Sequence, residues 1–213
     1  MVVTRFNITT HVMALNIWLA HLHYFMYEFL VLIAASATLV AAIAYIRSMF
    51  KGHTKPNRVT WLMWTIAPFT ATFASFSSGA TWAAVPVFMS GLSPFMILIA
   101  SFLNKRAYWK LSLFDYTCGA LSVLALVLWY LTENPNVAIA FAIISDALAA
   151  TPTLRKAWCN PESEFSWPFL VGVFSPMTSF LVTQTWAFSD IAFPVYLVLI
   201  NILLVFSVSK GNK

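Results

Sequence analysis

The chain has 213 residues, of which 61% are hydrophobic and 9% are charged, and its formal net charge is +5. Because a soluble domain has about 25% charged residues, this composition excludes an ordinary water-soluble globular protein and predicts an integral membrane protein whose main solvent is lipid. The positive charge follows a topological pattern, described below, so it does not predict a nucleic-acid partner.

Seven apolar runs of about 17 to 25 residues, bounded by charged or turn residues, predict an all-α fold of seven transmembrane helices. In chain order these spans are 29–48, 60–77, 83–103, 112–132, 136–154, 166–185 and 190–208. Residues 1–28 are predicted to form an N-terminal segment outside the membrane or at its surface, and residues 209–213 a short tail. For residues 11–28, an interfacial helix, a longer first span and an extra span all stay open.

Basic residues predict the orientation of the bundle. Every Lys and Arg except Arg5 lies in or beside alternate connections or in the C-terminal tail: Arg47, Lys51, Lys55, Arg58, Lys105, Arg106, Lys110, Arg155, Lys156, Lys210 and Lys213. The opposite side carries Glu28, Glu133 and Asp190. Since short cytoplasmic loops have an excess of Lys and Arg, we expect the N-terminus outside and the C-terminus in the cytoplasm, across a bacterial inner or plasma membrane.

A proline pattern occurs twice. Pro68 and Pro86 lie in the second and third spans, and Pro176 and Pro194 lie 108 residues later in the sixth and seventh. The flanking residues match too, since APFT aligns with SPMT and AVPV with AFPV. One span between two three-span copies gives both copies the same orientation. We therefore predict two parallel three-helix bundles joined by a linker helix (3+1+3), at residues 29–104, 105–135 and 136–208.

This layout, with an outer N-terminus, basic first and fifth connections and matched prolines, resembles the SWEET and PQ-loop transporter superfamily over about residues 29–208. PQ-loop proteins end the first helix of each repeat with Pro-Gln, whereas this chain has Pro152-Thr153 in one repeat and Arg47-Ser48 in the other. Members transport sugars, amino acids or vitamins, and the KDEL receptor shares the fold. The resemblance implies a divergent carrier that moves a small polar solute by alternating access; the alternative is a non-transporting receptor or binding protein.

Asp146 is the ionisable residue nearest the centre of any predicted span. A lone carboxylate at that depth costs about 2.5–3.5 kcal/mol on insertion scales, so it should face the bundle interior or a wet cavity. Ala142 and Ala149 share its helical face and permit close approach of another helix. We expect a carboxylate that binds a proton or the solute. The alternative is a structural carboxyl, bonded to a neighbouring polar side chain or paired with Arg155 or Arg47.

Asn201 and Ser93 occupy equivalent positions in the two repeats, each seven residues after the second matched proline. In SWEET-like carriers, asparagines on the third and seventh helices line the sugar site, so the resemblance implies a solute-binding role for Asn201, with Ser93 as its partner. An interhelical hydrogen bond is the alternative. At the level of Asp146, the first repeat offers Thr38 or Ala41.

Trp64 shares one helical face with Thr72 and Ser75, and the three could form a stacking wall for a ring-shaped solute. Aromatic side chains at span ends are also common as interfacial anchors, which is the alternative for Trp64.

Prolines interrupt three predicted spans, at Pro68, Pro176 and Pro152. A proline inside a helix frees a carbonyl group and bends the helix. These positions are either hinges for alternating access or static bends filled by neighbouring helices.

The sequence contains no motif for a phosphate loop, a hydrolase nucleophile or a zinc protease, and no metal-ligand spacing. We therefore expect a protein that is not an enzyme and uses no cofactor or metal. The expected partners are the lipid bilayer and a small solute, and homo-oligomerisation stays open.

Overall fold

The computed structural model describes residues 3–77, 84–104, 107, 109–132, 134–182 and 186–210. These residues form α-helices and one 3-10 turn, Pro161–Ser163, and contain no β-strand. In chain order the helices are α1 (Val3–Phe50), α2 (Arg58–Ser77), α3 (Ala84–Leu103), α4 (Leu113–Leu131), α5 (Pro135–Cys159), α6 (Trp167–Val182) and α7 (Phe188–Ser209). Each predicted span overlaps one of them, so the prediction of an all-helical chain is confirmed.

Three segments of these helices are long and apolar enough to cross a membrane: Glu28–Phe50, Leu113–Leu131 and Ile191–Ser209. The described surface is apolar as well, since Leu113 and Leu103 are 82% and 74% exposed. Polar side chains are meanwhile abundant among the buried residues. This distribution is the reverse of that in a water-soluble protein and fits a chain whose helices are solvated by lipid.

Helix α1 continues without a break from Val3 to Phe50, so the predicted boundary between residues 28 and 29 lies inside a helix. At 1.5 Å per residue, its 48 residues extend about 72 Å, more than twice the thickness of a bilayer's hydrocarbon core. Residues 11–28 therefore continue the axis of the helix that contains the first predicted span.

The helices pack in two trios with the same pattern of contacts. Helix α3 packs against both α1 and α2, and α7 packs against both α5 and α6. Helix α4 packs against α5 and α2. Between the trios, α1 contacts α6 and α2 contacts α5. These two contacts are equivalent. If each helix of one trio is exchanged for the corresponding helix of the other, the α1–α6 contact becomes the α5–α2 contact, and the reverse is also true.

Buried polar contacts fix the position of α4. Asn57 Nδ2 donates to Asp115 Oδ1 over 2.8 Å, while Asn57 Oδ1 caps the start of α2 by accepting from Val59 N. Further along, Ser122 Oγ donates to the Ser145 backbone oxygen (2.8 Å) and Ser145 Oγ donates to the Ser122 backbone oxygen (2.9 Å). Because Ser145 immediately precedes Asp146, this reciprocal pair helps to set the rotation of α5 about its own axis.

Candidate functional site

A cavity of about 570 Å³ lies in the interior of the bundle, and all seven helices contribute described residues to its lining. Most of these residues are apolar. Three of the predicted solute-path residues, Asp146, Asn201 and Ser93, line this cavity together. Thr38 and Ala41, which the sequence places near the level of Asp146 in the first trio, line it as well.

On α1, α3, α4 and α5 the cavity-lining residues lie in the half away from the basic connections, whereas on α6 they begin at Pro168, beside the basic fifth connection. On α1 its lining residues fall within 30–41, and Tyr45 and Met49, further towards the basic end, are fully buried. On α5 the lining residues fall within 139–146, and Ala150, one turn further on, has no exposed surface. Along α1 and α5, packed side chains therefore close the cavity towards the basic end.

The Asp146 carboxylate contacts side chains of two other helices. Tyr196 Oη of α7 donates to Asp146 Oδ2 over 2.7 Å, and the indole of Trp64 on α2 lies beside the carboxylate. Arg155, one of the two candidate ion-pair partners, lies instead over a ring of α4, 4.9 Å from its centroid. The other candidate, Arg47, is exposed. Asp146 is therefore held by neutral donors.

Trp64 lies between the two trios. Its ring packs edge-on against Trp61 at 5.4 Å and against Phe169 of α6 at 6.4 Å, so it is placed inside the bundle rather than at a lipid interface. Thr72 is buried, its hydroxyl donates to the Pro68 backbone oxygen over 2.8 Å, and it is not among the lining residues. The side chain of Ser75 lies outside the described residues.

Two of the three predicted hinge prolines, Pro68 and Pro176, line the cavity, together with Pro194 of α7. Each lies inside its helix, at a point where a change in helix bend would alter the shape of the cavity. Pro152 is different. It is buried nearer the basic end of α5 and lines a separate cavity of about 270 Å³ beside Arg155.

Asn201 faces α6 at Gly172, a residue that has no side chain. Its Nδ2 donates to the Leu197 backbone oxygen over 2.8 Å, and its amide group lies directly against Gly172. A Cβ atom at residue 172 would overlap that amide. At the sequence offset of 108 residues, Gly172 aligns with Trp64; Gly172 lines the cavity, whereas Trp64 is not among its lining residues.

Sequence reasoning did not identify Tyr196. The repeat alignment contained a signal, because Tyr196 corresponds to Phe88 and the two trios thus differ there by one hydroxyl group.

A second contact that sequence reasoning missed joins the two trios at the basic end. Glu164 Oε2 accepts from Tyr45 Oη of α1 over 2.8 Å, and Glu164 forms an ion pair with Lys156 of α5. Lys156 Nζ also donates to the backbone oxygen of Lys55. The Lys55 backbone nitrogen donates to the Ser163 oxygen over 2.9 Å. We call these residues the basic-end network; it links the first and fifth connections below the cavity.

Comparison with protein-family models, with characterised proteins and with solved structures finds no match to this chain. Fold and site define it as a helical protein of membrane-type composition, with a mainly apolar interior cavity that contains one carboxylate among its described lining residues. The proposed function is therefore based on the geometry of that cavity.

Proposed function

We propose that this protein is a SWEET-like membrane carrier with seven spans, in which the trios α1–α3 and α5–α7 are parallel repeats and α4 is the linker. The shared contact pattern of the trios and the exchange of their crossing contacts support this arrangement. Helices α2, α3, α5 and α6 contain none of the three segments long and apolar enough to cross a membrane, but each of them lines the cavity, so packing rather than hydropathy supports them as spans.

The observation that carries the proposal is a cavity lined by both trios, with fully buried side chains of α1 and α5 between it and the basic end. Carriers built from repeats bind their solute near the bilayer midplane between the repeats, and they alternate access by moving one repeat against the other. With the basic connections in the cytoplasm, this structure corresponds to a state that is closed to the cytoplasm. The solute would contact Asp146, Asn201 and Ser93, with Trp64 supporting Asp146.

Uptake into liposomes tests transport directly. We expect purified protein reconstituted into liposomes to take up at least one labelled small solute from a panel of sugars, amino acids, vitamins and amines. Uptake should saturate with concentration and exceed that of protein-free liposomes. A solute that stabilises the protein against thermal unfolding, with no flux above the protein-free control, would overturn transport and favour the receptor alternative.

Labelling of the native Cys159 tests the orientation. Cys159 is exposed at the basic end of α5, whereas Cys118 is buried in α4. We expect a membrane-impermeant maleimide to leave Cys159 unmodified in intact cells and to modify it after the membrane is permeabilised. Cys159→Ser is the matched control that should remove the signal. Labelling in intact cells at the level seen after permeabilisation would place the basic end outside.

A further inference from the structure

Among its described lining residues, the cavity holds a carboxylate with no basic side chain to balance it. Among the described residues that line it, Asp146 is the only ionisable one. Residues 59–104, 111–154 and 157–209 contain no Lys or Arg, so in helices α2 to α7 these residue types occur only at Arg58, Arg155 and Lys156, towards the basic end. A negative charge at this site therefore lacks a partner from within these segments.

The donors around Asp146 favour its ionised form. A carboxylate only accepts hydrogen bonds, and an indole N–H only donates them, while a tyrosine hydroxyl donates when it faces an anion. Tyr196 Oη donates a hydrogen bond to Asp146 Oδ2, and the indole of Trp64, whose N–H can only donate, lies beside the same carboxylate. A protonated carboxyl at the same place would have to direct its own proton at an acceptor. Hydrogen bonds to an ionised acceptor are also the stronger ones.

The surroundings of the carboxylate suit a positively charged organic group. The rings of Phe193 and Tyr196 lie 6.0 Å apart, and Phe193 and Trp129 both line the cavity. Aromatic rings attract ammonium groups through their negative faces. The remaining walls are mainly apolar and fit the carbon part of a ligand. A volume of about 570 Å³ lies within the 300–1,000 Å³ of ordinary small-molecule sites.

We propose that the cavity binds a small organic monocation, with its ammonium group beside Asp146. This inference rests on the proposed function, because the cation would be the solute that is carried. One carboxylate balances one positive charge, so monocations should bind better than dications or neutral molecules of the same shape. The cation also removes the cost of holding an unbalanced charge in a site of low dielectric constant.

Matched pairs of probes test the charge requirement in the unaltered protein. We expect choline, but not its neutral isostere 3,3-dimethylbutan-1-ol, to raise the thermal unfolding temperature of the purified protein at millimolar concentration. The same should hold for benzylamine against benzyl alcohol. Neutral members that stabilise as well as the cations would overturn the inference, and so would a lack of response to both cations.

Variants then assign the charge to Asp146. We expect Asp146→Asn, which preserves shape and removes the charge, to weaken binding of the cationic probe at least tenfold, as measured by calorimetric titration. Glu162→Gln is the matched control, because Glu162 is an exposed carboxylate outside the cavity. Equal affinity in the Asp146 variant and this control would overturn the inference.

Two outcomes separate cation binding in the cavity from transport. Cation binding that depends on Asp146 but is not accompanied by flux in liposomes would overturn transport and support the inference. Saturable uptake of neutral solutes, unaffected by Asp146→Asn, would support transport and overturn the inference.

Discussion

We expect Glu164→Gln to lower the thermal unfolding temperature of the purified protein by roughly 6–20 °C. The side chains of Lys156 and Glu164 are 1% and 0% exposed, so the substitution leaves a buried ammonium group without its anion. Removal of one partner from a buried ion pair costs about 3–5 kcal/mol. For a chain of this size, each kcal/mol corresponds to about 2–4 °C. Circular dichroism during heating in detergent measures the shift.

Two further variants separate the ion pair from a general effect of substitution. Glu162→Gln, two residues away and exposed, should leave the unfolding temperature unchanged. The double variant Lys156→Met with Glu164→Gln should recover much of the lost stability, because it leaves neither charge buried alone. If Glu164→Gln unfolded at the temperature of Glu162→Gln, the basic-end network would have no stabilising role.

We expect Gly172→Val to reduce the initial rate of solute uptake at least tenfold. The new Cβ would occupy the space of the Asn201 amide, and the two added methyl groups would project from a residue that lines the cavity. Asn201 must then turn away from its position against α6. Initial rates in liposomes, together with the unfolding temperature in detergent, separate loss of transport from loss of fold.

Graded substitutions at this position check the cause. Gly172→Ala adds only the Cβ atom and should reduce uptake less than Gly172→Val. Leu170→Val, on the same helix but exposed, should transport like the unaltered protein. Normal uptake by Gly172→Val would show that the contact between α6 and α7 at Asn201 does not shape the solute path.

The positions of the helices could be predicted from the sequence, because apolar runs bounded by charges and turns report local structure. Helix α1 is an exception, because local signals do not predict how far it extends beyond the membrane span. Residues 3–50 contain no proline or glycine, so no local signal marks where a membrane span begins within one long helix. The repeat likewise predicted that Asn201 and Ser93 would be equivalent, and both line one cavity in the structure.

The sequence by itself determined the membrane-type composition, the helices and the placement of a carboxylate near the middle of α5. Only the tertiary structure decided the partners of that carboxylate, Tyr196 and Trp64, and the contact between Asn201 and Gly172. The physical reason is the range of the interactions. Hydropathy and periodicity depend on residues that are close in the sequence, so they report the structure of a single helix. The contacts of Asp146 and Asn201 join different helices and depend on how those helices pack.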